Sequence, residues 1–167
     1  MINSSEQIHT ISLYVANKPG VLARIAQVFA RRGFNIDSLV VSSAVDGHYS
    51  RMTISAKGEH ENLDQIIMQA GKLIDVLHCI DHSTESVVSK EMAFIKVAVQ
   101  SDERPEVLQL VEHYGCKVVD FAENSLILMV TGDSDKLDAL VRMLSKFKIV
   151  EVVRTGKVIM ARGSEET

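Results

Sequence analysis

Apolar and polar residues alternate along Thr10-Ile11-Ser12-Leu13-Tyr14-Val15, the period of a half-buried strand. Asn17-Lys18-Pro19-Gly20 interrupts it, and Val21, Leu22, Ile25, Val28 and Phe29 then recur at the three-and-four spacing of an amphipathic helix. Asn17 or Lys18 is expected at the helix entrance, where Asn is a favoured cap, and Pro19 suits the first turn. Gly33 is placed to end the helix with a positive φ. Ile36 to Ala44 and Arg51 to Ala56 read as strands around Asp46-Gly47, a strong hairpin signal. Leu63, Ile66, Ile67, Ala70, Leu73 and Ile74 trace a second helix, and Val76 to His82 a fourth strand.

The same order then begins again. Ala93 to Val99 reads as a strand, Pro105 opens a helix that Gly115 ends, and two strands (Val118–Phe121, Leu126–Val130) flank the turn Ala122-Glu123-Asn124-Ser125. Asp133, Ser134 or Asp135 caps a helix through Leu137, Leu140, Val141, Leu144 and Phe147, and Ile149 to Val153 closes the repeat. Gly156 to Ala161 is expected as an edge strand, with Gly163 to Thr167 fraying. The chain is therefore α+β, two tandem ferredoxin-like βαββαβ domains, each packing two helices on one face of a four-stranded sheet. Expected boundaries are 1–84 for the first domain, 85–90 for a linker and 91–167 for the second. The other sheet face has no helix to cover it, yet both Val40 and Val41 are apolar, so a second copy, the sister domain or a ligand is expected there.

Composition narrows the chemistry. Over 167 residues, 18 Lys and Arg against 22 Asp and Glu leave a formal charge of −4, which argues against nucleic acid as the ligand. No apolar run approaches the roughly 20 residues that cross a bilayer, and the N-terminus lacks a basic-then-apolar signal, so a cytoplasmic chain is expected. Only two cysteines are present, Cys79 and Cys116, read as small core fillers in a reducing compartment. His78 and His82 would stand roughly 13 Å apart on a strand, too far to share a metal. No GxGxxG, Walker-type or GxSxG pattern occurs. Tyr14, Phe34 and Tyr49 suggest a stacking platform for bases, but the aromatic–glycine run of such strands is missing. No catalytic residue and no metal ligand stands out.

One segment does carry chemistry. Free N–H groups at the helix start, around Gly20 to Leu22, present partial positive charge to a small carboxylate, and Gly20 removes the side chain that would block approach. Asn17 can exchange a hydrogen bond with a carboxylate or ammonium. Asn35 lies about 20 Å away at the far end of the helix, so one subunit cannot bring Asn17 and Asn35 to one small ligand. Two copies about a two-fold axis can, which places the site at a dimer interface.

Asn17-Lys18-Pro19-Gly20-Val21-Leu22 and Gly33-Phe34-Asn35-Ile36 resemble the signature of ACT domains, amino-acid sensors of ferredoxin-like fold. With Ser50-Arg51-Met52-Thr53-Ile54, Lys72-Leu73-Ile74-Asp75-Val76, Thr131-Gly132-Asp133, Lys136-Leu137, Arg154-Thr155-Gly156 and Ala161-Arg162-Gly163, the chain resembles the regulatory small subunit of acetohydroxyacid (acetolactate) synthase along nearly its whole length. The resemblance implies a non-catalytic regulatory subunit, a homodimer through its ACT domains, that activates a catalytic large subunit. It implies feedback inhibition by a branched-chain amino acid, usually valine, held by Asn17, Pro19, Gly20, Val21 and Leu22 and closed by Asn35 and Ile36 of the second copy. Thiamine diphosphate, FAD and magnesium would sit on the large subunit, with no cofactor on this chain. A free-standing amino-acid sensor without a synthase partner is the alternative, since the first domain needs only the ACT motif.

Overall fold

The computed structural model describes residues 7–83 and 87–167. They form two compact units, one of residues up to Ser89 together with Gly156–Thr167, the other Lys90–Thr155.

The first unit runs β1 (Gln7–Ala16), α1 (Val21–Arg31), β2 (Asn35–Ser43), β3 (Tyr49–Gly58), α2 (His60–Gly71) and β4 (Val76–Asp81). Its sheet order is β2-β3-β1-β4, all pairs antiparallel. Period two sends Ile11, Leu13 and Val15 of β1 and Met52, Ile54 and Ala56 of β3 to one face, where Val21, Ile25 and Phe29 of α1 and Leu63, Ile66 and Ala70 of α2 cover them. Phe34 joins this core, its ring lying so close to Gly58 that a β-carbon there would overlap it.

The second unit repeats the order with β5 (Val87–Ala98), α3 (Arg104–Tyr114), β6 (Lys117–Phe121), β7 (Ser125–Gly132), α4 (Ser134–Leu144) and β8 (Lys148–Arg154). Its path β6-β7-β5-β8 matches that of the first sheet strand for strand, and β9 (Val158–Ala161) pairs β5. Ala93, Ile95, Val97, Leu126, Leu128 and Val130 meet Val107, Leu137, Leu140 and Leu144 in an aliphatic core. Arg154, at the end of β8, forks between the buried Glu91 and Asp138 of α4, and Glu91 holds its guanidinium still more firmly charged. Thr155 follows, exchanging hydrogen bonds with the backbone of Met92 through its hydroxyl. The tandem ferredoxin-like architecture expected from the residue pattern is thus the architecture observed.

Local departures have physical causes. The N-cap of α1 is Gly20, at φ 83°, and the helix begins only at Val21. Pro19 therefore stands before the cap, outside the first turn, and Asn17 does not cap the helix. α2 ends at Gly71, so Leu73 and Ile74 fall in the turn to β4, with Ile74 fully exposed. Val87 to Lys90, expected as linker, is already strand β5; Glu85 and Ser86 lie outside the described residues.

The uncovered face of the first sheet has the largest departure. Thr10, Ser12, Thr53 and Ser55 point away from the helices yet are buried. Gly156–Thr167, expected to close the second domain with a frayed end, packs as part of the first compact unit. Gly156 packs on Ser38 of β2, Ile159 is buried, and Thr167 accepts a 2.6 Å hydrogen bond from Nη1 of Arg51 on β3. The Thr167 hydroxyl in turn accepts a 2.7 Å bond from the Ala161 N–H.

Candidate functional site

The turn from β1 into α1 is fixed from three sides. Asn17 accepts no helix amide; its Nδ2 donates to the Gly47 carbonyl at 3.0 Å and faces Ser43 Oγ at 3.5 Å, while its N–H donates to the His48 carbonyl. The side chain thus ties the helix entrance to the β2–β3 hairpin. Asp75, just before β4, accepts from the Ala16 N–H through its carbonyl, and its largely buried carboxylate pairs with Arg24 and with Lys18 at 3.9 Å. The pairing of Asp75 with Arg24 is not signalled by the residue pattern, because partners 51 positions apart leave no local trace.

The left-handed φ of Gly20 turns the chain so that its carbonyl takes the Arg24 N–H while the Val21 N–H reaches Lys18 only at 3.5 Å. Among the described residues, no backbone carbonyl takes the N–H of Gly20, Leu22 or Ala23. These donors, with the positive end of the helix dipole behind them, form an anion-receptive terminus. Val21 is buried in the core, whereas Leu22 is exposed beside the terminus and offers an apolar contact.

Asn35 and Ile36 lie elsewhere. Asn35 opens β2 opposite Lys57 of β3, whereas Ala16 stands opposite Tyr49. Eight residues of β3 separate those levels, about 27 Å at strand rise. Within one copy the structure brings Asn17, Pro19, Gly20, Val21 and Leu22 together and leaves Asn35 and Ile36 apart. Asn35 donates to Asp37 Oδ1 at 2.9 Å, and Ile36 packs partly against the core before the β2 bulge.

Other candidate chemistry resolves into structure. His82 is buried, its Nε2 2.7 Å from Ser12 Oγ, while His78 is exposed and stacks on Tyr14. Burial pushes the Cys79 thiol up to about 12 and raises that of Cys116, so neither is a ready nucleophile. Phe34 lies in the core while Tyr14 and Tyr49 pair on the opposite face, so the three aromatics form no common platform. Among the described residues no group of His, Cys, Asp or Glu is arranged to hold a metal ion, and no helix is long and apolar enough to cross a membrane.

A ferredoxin-like unit with a glycine-capped, open helix terminus after its first strand is the architecture of an ACT domain. The family model described as AHAS small subunit-like ACT domain matches residues 11–78, and that described as small subunit of acetolactate synthase matches 90–163. The probable acetolactate synthase small subunit of Archaeoglobus fulgidus is 42% identical over 95% of this chain and 99% of its own. The acetolactate synthase small subunit of Mycobacterium bovis is 42% identical over 95% of both chains. The crystal structure of the acetolactate synthase small subunit from Thermotoga maritima superposes with a TM-score of 0.83 at 37% identity, covering 95% of this chain and 99% of that one. The chain belongs to the acetolactate synthase small-subunit family. Its role is that of a regulatory subunit in branched-chain amino acid biosynthesis.

Proposed function

We propose that the chain activates a catalytic large subunit of acetolactate synthase and makes it sensitive to a branched-chain amino acid, valine foremost. The effector carboxylate is received by the N–H groups of Gly20, Leu22 and Ala23. Asn17 and Pro19 border the pocket, and Leu22 meets the aliphatic side chain beside the buried Val21.

The observation that carries this reading is the placement of the two half-sites at opposite ends of one edge strand. β2 ends its sheet and runs from Asn35 to Ser43, and Ser43 Oγ lies beside the Asn17 amide. If the β2 strands of two copies pair antiparallel, Asn35 and Ile36 of one come alongside Ser43, and hence Asn17, of the other. Such pairing completes a site that one copy holds only in halves, joins two four-stranded sheets and covers the exposed Val41. It yields a homodimer with two equivalent effector sites on its interface.

Effector binding regulates by favouring one arrangement of the dimer on the large subunit, since equal affinity for both would shift nothing. A coupling of about 1–3 kcal/mol gives roughly 5- to 150-fold control. Thiamine diphosphate, FAD and magnesium are assigned to the large subunit. The two free thiols suit a reducing cytoplasm.

The test is reconstitution with the purified large subunit and titration with valine, leucine and isoleucine. The chain should raise the synthase rate, and at least one of the three, valine first, should lower it. A rate unchanged by the chain, or no capture of the large subunit by it, would overturn the reading in favour of a free-standing sensor.

A further inference from the structure

We propose that Gly156–Thr167 is a releasable strap that holds β2 in the position inhibition requires. The strap crosses the helix-free face of the first sheet and is seated at both ends. At the near end Gly156, at φ 83°, lies on Ser38 so closely that a β-carbon would overlap that of Ser38. Ser38 follows the β2 bulge, three residues after Asn35. At the far end Thr167 is held by Arg51, whose β3 position stands opposite Ser42 of β2 and Tyr14 of β1. The strap therefore touches β2 directly and through its hydrogen-bonded neighbour.

The seat suits release. Mostly Ser, Thr and His side chains line it, with Ile8 and Ile80 at its margins; the strap buries one aliphatic side chain, Ile159, and its β9 segment is tied to β5 by strand pairing. Ser55 Oγ, cross-strand from both Ser38 and Thr10, is buried without a partner among the described residues. Two surface clefts of about 170 and 160 Å³, open to solvent, flank the strap, the first bounded by Ile8, Thr10, His82 and Ile159, the second by Tyr14, Arg51, His78 and Thr167. A segment packed over hydroxyls opens at lower cost than one docked on a dry aliphatic core. Because Gly156 directly follows Thr155, movement of the second unit's last strand can be transmitted along the chain to β2. Release then loosens β2, and with it the half-site of Asn35 and Ile36, without touching the Gly20 terminus.

The regulatory part of this inference rests on the effector reading above; the mechanical part does not. The test uses full-length Gly156→Ala and Ile159→Asp, followed by amide hydrogen exchange and by valine inhibition of the reconstituted synthase. Exchange in 156–167 and in β2 should quicken at least about tenfold in both variants, through left-handed strain plus overlap with Ser38 in Gly156→Ala and through a buried carboxylate in Ile159→Asp. Half-inhibition should need at least about tenfold more valine, within the usual range of allosteric coupling, while activation persists. Adding Ser38→Gly to Gly156→Ala removes the overlap and should restore part of the slow exchange. Unchanged exchange in the strap in both variants, a loosened strap with unchanged β2, or unaltered inhibition would overturn the proposal. A wild-type synthase indifferent to all three amino acids would instead refute the effector reading, and β2 exchange would still decide whether the strap holds β2.

Discussion

Gly20 and Gly33 bracket α1, and substituting each by alanine separates strain from binding. Both have left-handed backbones, at φ 83° and 73°, and a β-carbon at either meets no obstruction: Arg24 Nη1 lies at an ordinary 3.5 Å from one, and nothing lies within 4 Å of the other. Each substitution thus costs mainly the left-handed strain of an L-residue, about 1–2 kcal/mol. For a unit of about 100 residues, 1 kcal/mol corresponds to a fall in Tm of about 4–8 °C. The two variants should therefore lose similar stability by calorimetry. Only Gly20→Ala alters the terminus where the open amides converge. Losing one charge-assisted amide contact of about 1.5–3 kcal/mol should weaken valine binding by roughly 10- to 150-fold, with Gly33→Ala near wild type. Isothermal titration on both variants reads this directly. Equal affinity in the two, whether both weakened or both intact, would refute the carboxylate-binding role of the terminus.

Asn17→Ala should abolish valine inhibition and leave activation intact, because it removes an exposed tether between the helix entrance and the hairpin without opening the core; retained valine sensitivity would remove Asn17 from the site. Leu128→Ala should destabilise the second unit by about 2–5 kcal/mol in urea unfolding, the cost of a large-to-small change at a fully buried position, and a loss below 1 kcal/mol would contradict the packing described. The thiol of Cys79, raised from 9.0 to about 12 by burial, makes stability fall with pH: above 9 the unfolded chain loses this proton while the folded chain keeps it. At pH 10 that difference amounts to about 1.4 kcal/mol, so a Cys79→Ala variant should lose less stability than wild type between pH 7 and 10, and identical losses would refute the burial argument.

Much of this architecture can be read from periodicity, since alternation in Ile11, Leu13 and Val15 and the three-and-four spacing of Val21, Ile25 and Phe29 each match one buried face. Cap identities were less legible. Asn17 has the chemistry of a cap, but a glycine with positive φ can start a helix without a side-chain bond, and Gly20 took that place. Thr10, Ser12, Thr53 and Ser55 alternate as a solvent-facing strand face would, and nothing in them announces a cover. The cover comes from a segment more than 100 positions away whose seat is set by Gly156 against Ser38, a purely tertiary fact. The separation of Asn17 from Asn35, by contrast, followed from helix length alone, and the strand register bears it out at about 27 Å.

The most direct measurement is a crystal structure of the chain grown with valine. The account predicts a dimer joined along antiparallel β2 strands, with one valine at each helix terminus, its carboxylate about 2.7–3.2 Å from the N–H of Leu22 or Ala23 and Asn35 of the second copy closing over it. Valine bound within a single copy away from that terminus, or a dimer formed through another edge with both termini empty, would contradict it.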